Sequence, residues 1–142
     1  MVALALAIAA CGDSATGPQS PEDVTFAASL GIDLAAMTRL PSGVFIQTVS
    51  EGVGVPMTET DRFTAHYQGW TSDGNGFDNG TLQDFSLGQL IDGFRGMEGM
   101  TVGETRRLVI PSQLGYGSAG AGDAIPGDAV LVFEMTLVAI NP

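Results

Sequence analysis

Two segments of this chain alternate apolar and polar residues at a period of two, which restricts the fold to one built on strands. From Arg62 to Trp70, Phe63, Ala65 and Tyr67 fall on one face and Thr64, His66 and Gln68 on the other. From Ala129 to Ile140, Leu131, Phe133, Met135 and Leu137 share a face. Val44 to Val49 and Arg106 to Ile110 read as further strands, closed by Glu51-Gly52-Val53-Gly54 and by Pro111. Asp73-Gly74 marks a tight turn. The 20 glycines favour turn-rich β structure over a helix bundle. Leu90 to Met100 is the short helix candidate within this region, although its glycines weaken the helical signal. The sum is an α+β arrangement, an antiparallel sheet covered by one short α-helix.

The first 41 residues follow a different pattern. Val2 to Ala10 are small and apolar, and Ile8-Ala9-Ala10-Cys11 resembles the lipobox of bacterial lipoproteins. That resemblance implies lipidation of Cys11 and tethering to a membrane on the periplasmic side of a bacterial cell envelope. The apolar run is far too short for a transmembrane helix, so residues 1–11 read as a partial signal peptide, without the usual positive n-region. Residues 12–23 carry Gly, Ser, Thr, Pro and acids with no apolar period, the composition of a flexible tether. In residues 24–41, Phe26, Leu30, Leu34 and Met37 fit a helical stripe that Gly31 interrupts and Pro41 ends, giving a short helix or two turns. The domain proper is expected over residues 42–142.

Charge excludes several function classes. The net charge is −11, and all five basic residues are arginines. Such a surface repels nucleic-acid phosphates and anionic lipid headgroups, so a membrane contact has to come from the lipid alone. With Cys11 the single cysteine, no intrachain disulfide is available. His66 is the single histidine and reads as a strand residue, neither a metal ligand nor half of a catalytic pair. Asp73 to Asp78 has a fleeting likeness to a calcium loop, but Phe77 occupies a ligand position and a turn is the better reading. The glycine-rich stretch from Tyr116 to Asp128 lacks the Lys and Ser/Thr of a phosphate loop and reads as a flap. Arg106 and Arg107 are expected to be solvated at a strand end, pointing to opposite faces. No metal or cofactor is implied.

The remaining signal is an ordered set of short motifs. Ala65-His66-Tyr67-Gln68-Gly69-Trp70 is followed by Phe77-Asp78, Phe85-Ser86-Leu87-Gly88 and Leu90-Ile91-Asp92-Gly93-Phe94. Gly99-Met100-Thr101-Val102-Gly103-Glu104 leads to Arg107-Leu108-Val109-Ile110-Pro111, then Leu114-Gly115-Tyr116-Gly117, Ile125-Pro126 and Leu131-Val132-Phe133-Glu134. In this order and spacing the set resembles the FKBP-type peptidyl-prolyl cis-trans isomerases, over about Ser42 to Asn141. The resemblance implies a twisted antiparallel sheet wrapped over a short helix, with the site between them. It implies rotation about Xaa-Pro bonds in a monomer acting on proline-containing unfolded or nascent exported proteins, and inhibition by macrolides. A non-catalytic module that holds proline segments, or a chaperone, is the alternative.

By position, the resemblance places catalytic roles on Tyr67, Asp78, the Ile91 backbone N–H and Tyr116. It places substrate contacts on Phe77, Phe85, Leu90, Phe94, Ile125 and Phe133, with Phe94 at an aromatic floor position that is commonly Trp in relatives. Two departures stand out. The segment from Phe94 to Gly103 is one residue shorter than usual, which favours the non-catalytic alternative if the floor is displaced. Gln83 replaces an aromatic that many relatives carry on the rim. Taken alone, Phe63 and Phe133 would be core residues, and Trp70 would pack on the sheet.

Overall fold

The computed structural model describes residues 18–141, so Cys11 and the first part of the expected tether lie outside the described residues. Six strands form one antiparallel sheet: β1 (Thr38–Arg39), β2 (Phe45–Ser50), β3 (Arg62–Thr71), β4 (Gly76–Phe85), β5 (Thr105–Ile110) and β6 (Leu131–Asn141), in the order β1-β2-β5-β6-β3-β4. The two longest expected strands lie side by side, with Tyr67 opposite Met135 and Gly69 opposite Phe133. The ten-residue strand β4 had no counterpart in the sequence reading. It forms an edge of the sheet, most of its residues are exposed, and it therefore lacks an apolar alternation.

One face of the sheet carries the main core. Phe63, Ala65, Leu108, Ile110, Leu131, Met135 and Leu137 are fully buried there, against Met57, Leu87, Met97 and Met100. A short 3-10 helix, Asp92–Met97, lies on this face. It replaces the α-helix expected from Leu90 to Met100, and its glycines explain why. A Cβ on Gly93 would sit 2.3 Å from Ile110, and one on Gly96 would sit 3.1 Å from Val44. Bare backbone is what lets this helix lie so close to the sheet, and the same residues weaken helix propensity.

Arg106 corrects the expectation of a solvated strand end. Its side chain is buried and donates from Nε to Glu104 Oε2 at 2.9 Å and from Nη1 to the carbonyls of Gly96 (2.9 Å) and Glu98 (3.1 Å). It thus satisfies carbonyls at the end of the helix that have no partner within it. Arg107 does face the other way, reaching the Leu30 carbonyl and Glu134.

The opposite face is also covered. Phe45, Val109, Val130 and Val132 are buried with Leu30, and Val24, Phe26, Leu34, Met37 and Trp70 pack against them. In place of one helical stripe, the N-terminal segment runs through three 3-10 turns, Pro21–Asp23, Ala28–Leu30 and Leu34–Ala36. The Ala27 N–H donates to the Ser72 carbonyl at 2.8 Å, and Gln19 and Ser112 exchange two hydrogen bonds of 2.8 and 3.0 Å. From Gln19 onward this segment is fastened to the sheet. Among the described residues, no helix is long and apolar enough to cross a membrane.

Candidate functional site

Phe133, near the start of β6, is the pivot of the site. Its ring meets Phe77 edge-on at 5.5 Å between centroids and Phe94 edge-on at 4.8 Å. Edge-to-face pairs of this kind match the positive rim of one ring to the negative face of another. Gly69, directly opposite Phe133 on β3, makes room for the rings. A Cβ there would lie 2.6 Å from Phe133 and 2.7 Å from Phe77. Phe94 comes from the 3-10 helix, so the shorter segment after it leaves the aromatic floor in place.

Phe77 and Asp78 are neighbours on one strand, yet both line the same cavity. Successive strand residues normally point to opposite faces. The pairing resolves this: Gly69 faces Asp78 while Trp70 faces Gly76, so Phe77 is an extra residue in a bulge. Asp78 accepts a hydrogen bond of 2.8 Å from the Tyr67 hydroxyl. Tyr67 is paired with Gly80, where a Cβ would make ordinary contact with the Tyr67 ring at 3.4 Å, and the ring leans over this glycine to Asp78. The hydrogen bond to Asp78, burial and the neighbouring negative charge push the Tyr67 phenol up to about 12.

These groups enclose a cavity of about 240 Å3 lined by Tyr67, Phe77, Asp78, Leu82, Gln89, Leu90, Ile91, Phe94, Tyr116 and Phe133. Leu90 and Ile91 reach it from the junction between the turn Leu87–Gln89 and the helix. Tyr116, 40% exposed, reaches it from the glycine-rich segment. That segment is internally bonded: it carries the 3-10 turn Gly117–Ala119, and Ala121 and Ile125 pair through backbone bonds of 2.8 and 3.1 Å. Two expected wall residues lie elsewhere. Phe85 and Ile125 pack within the main core and are not among the lining residues. Gln83, expected on the rim, is exposed and also outside the lining, whereas Leu82 and Gln89 join the wall unforeseen. Among the described residues no cluster of His, Cys, Asp and Glu could hold a metal ion. Asp73, the start of the calcium-like stretch, instead accepts from Thr71 and from the Asn75 N–H within the hairpin turn.

An apolar cradle with one phenol–carboxylate pair and a second phenol holds no nucleophile–base couple. The family model described as FKBP-type peptidyl-prolyl cis-trans isomerase matches residues 54–138. The chain belongs to this family. FK506-binding protein 2 of Dictyostelium discoideum is 46% identical over 88 residues, 57% of this chain and 66% of that protein. The FK506-binding protein of Neisseria meningitidis serogroup B is 37% identical over 105 residues, 69% of this chain and 96% of the relative. A crystal structure of a peptidyl-prolyl cis-trans isomerase from Pseudomonas syringae pv. tomato superposes with a TM-score of 0.70 at 35% identity, covering 75% of this chain and 82% of that one. The fold is thus that of an FKBP domain, and the activity is prolyl isomerisation. The buried back face shows that residues 24–37 pack against this FKBP domain outside the span that the family model matches.

Proposed function

We propose that the cavity turns Xaa-Pro bonds by surrounding the twisted imide with apolar walls, and that the protein does this for exported, unfolded chains at a membrane to which Cys11 tethers it. The C–N bond owes its barrier of roughly 18–20 kcal/mol to resonance. Halfway through the rotation that resonance is lost, the carbonyl dipole shrinks and the nitrogen regains a lone pair. Water solvates the planar dipole better than the twisted form, and a low-polarity wall removes that bias. The binding is therefore stronger in the transition state, with no covalent step. Lowering the barrier by about 8 kcal/mol corresponds to about a million-fold.

The observation that carries this reading is the size and lining of the cavity. At about 240 Å3 it is smaller than pockets for drug-sized ligands, roughly 300–1,000 Å3, and of the order needed for one ring and its imide. Phe77, Phe94 and Phe133 would hold the ring and exclude water, with Leu90 as aliphatic wall. Among the described residues the Ile91 N–H has no acceptor within the protein, which leaves it available to a substrate carbonyl. The Tyr116 hydroxyl would donate to a second carbonyl, and Asp78 would orient the twisted carbonyl while holding Tyr67. A macrolide such as FK506, named in the relatives, would compete by placing part of its ring system against the same walls.

The test is a protease-coupled isomerase assay on proline tetrapeptides. Asp78→Val and Tyr116→Phe should each lower kcat/KM, and unchanged values would remove both residues from the mechanism. Tethering is tested separately by the mass of the mature protein and its membrane fraction. Cys11→Ser should lose the lipid mass and release the protein, and an unlipidated wild type would overturn the anchor.

A further inference from the structure

We propose that Arg106 is the positioning residue of the aromatic floor: through the carbonyls of Gly96 and Glu98 it holds the Asp92–Met97 helix at the depth where Phe94 meets Phe133, and Glu104 aims it. The inference rests on reading the cavity as the substrate site.

The inward residues of β5 form a row. Ile110, Leu108 and Arg106 alternate onto the helix side of the sheet, and Glu104 continues the row just before the strand. The helix lies along this row. A Cβ on Gly93 would strike Ile110, and one on Gly96 would lie 3.2 Å from Leu108. At the third step the row meets the helix with a guanidinium in place of an apolar side chain. Arg106 Nη1 donates to the Gly96 and Glu98 carbonyls at 2.9 and 3.1 Å. Among the described residues, these are the hydrogen bonds that tie residues 92–98 to a strand; the rest of the contact with the sheet is apolar. Apolar burial is non-directional and lets a helix slide along a sheet. Two bonds aimed at two carbonyls fix its place.

Glu104 is more than a counterion. Its Oε2 accepts from Arg106 Nε and from Thr48 Oγ1, each at 2.9 Å, while Oε1 accepts from the Thr101 N–H at 3.0 Å. The pair therefore brackets the stretch that leaves the helix, with Arg106 on residues 96 and 98 and Glu104 on residue 101. Both side chains are buried. A buried ion pair is a poor source of stability, because desolvation offsets most of the attraction. What its directed bonds specify is an arrangement. Here that arrangement is the seat of the helix that brings Phe94 to the floor, with its ring 4.8 Å from Phe133, and that starts beside Ile91 in the wall.

The test sets activity against stability. Arg106→Met should lower kcat/KM on proline tetrapeptides by about tenfold, within the roughly hundredfold that a misplacement of about 1 Å can cost. The double variant Arg106→Met with Glu104→Leu replaces the pair by apolar side chains and should regain urea midpoint over the single variant. Its kcat/KM should nevertheless stay down, because the two carbonyls still lack their donor. In its NMR spectrum, cross-relaxation between the Phe94 and Phe133 rings should weaken while that between Phe77 and Phe133 persists. Leu30→Ala, which loosens the opposite face, should keep kcat/KM within twofold. Where Arg106→Met fails to fold, the double variant decides alone. Recovery of kcat/KM together with stability, unchanged cross-relaxation between Phe94 and Phe133, or an equal loss of activity in Leu30→Ala would overturn the assignment. No turnover of any peptide by the unsubstituted protein would instead overturn the site reading beneath it, and the ring cross-relaxation would still report whether Arg106 holds the floor.

Discussion

Tyr67 and Asp78 are joined by a 2.8 Å hydrogen bond that runs diagonally across two strands, because the residue paired with Tyr67 is Gly80 and not Asp78. The pair therefore crosses the register, passing a residue without a side chain. It also ties a half-buried phenol to the one carboxylate in the cavity wall.

The pH behaviour of this pair follows from its geometry. Asp78 favours the protonated phenol, which raises Tyr67 from its ordinary value of 10.0 to about 12. A raised value means that the stability contributed by the bond is fully present below pH about 10 and is lost as the pH climbs toward about 12. An ultraviolet titration of the phenolates should show one tyrosine ionising near 12. Asp78→Val should bring that step down, and a step that does not move would show that Asp78 is not its cause.

Gly69 is expected to be the most sensitive glycine of the site. Alanine there would press a methyl group into two rings at 2.6 and 2.7 Å. Overpacking of this kind costs about 1–3 kcal/mol. Gly69→Ala should lower the urea midpoint by a corresponding amount and reduce kcat/KM more than tenfold, since Phe77 and Phe133 both have to shift. Retention of full activity would mean that the ring positions are not what the substrate reads.

Arg106 should matter to stability without touching substrate. Its pair with Glu104 has side-chain exposures of 10% and 6%. Arg106→Met leaves the Glu104 carboxylate buried without its cation, a change that costs about 3–5 kcal/mol. Chemical denaturation should register that loss, and the double variant Arg106→Met with Glu104→Leu should recover part of it. Equal stability of the single variant and the wild type would show the pair to be dispensable.

The N-terminal segment offers the converse separation. Leu30 sits in the cluster on the face of the sheet that faces away from the cavity. Leu30→Ala should destabilise by about 2 kcal/mol, near the low end for such truncations because the cluster lies at the surface. The value of kcat/KM on short peptides should stay within twofold. A large loss of activity at unchanged stability would mean that the back face communicates with the site.

Much of this protein was readable from the order of its residues. The alternation in β3 and β6 is dictated by a sheet with one buried face, so it announces both the strands and their inward residues, Phe63, Phe133 and Met135 among them. The motif spacing announced the family and brought Tyr67, Phe77, Asp78, Leu90, Ile91, Phe94, Tyr116 and Phe133 to one cavity. What only the tertiary structure decided are matters of parity and closeness. Whether Leu82 or Gln83 faces the cavity turns on a bulge, which leaves no periodic trace in a ten-residue edge strand whose surroundings are mostly water. Arg106 reads as a surface cation until the helix carbonyls are placed above it, and Val109 and Val132 look like surplus apolar residues until the N-terminal turns cover them. Local sequence carries the strand period, but the partner that a side chain meets is set by segments far away in the chain.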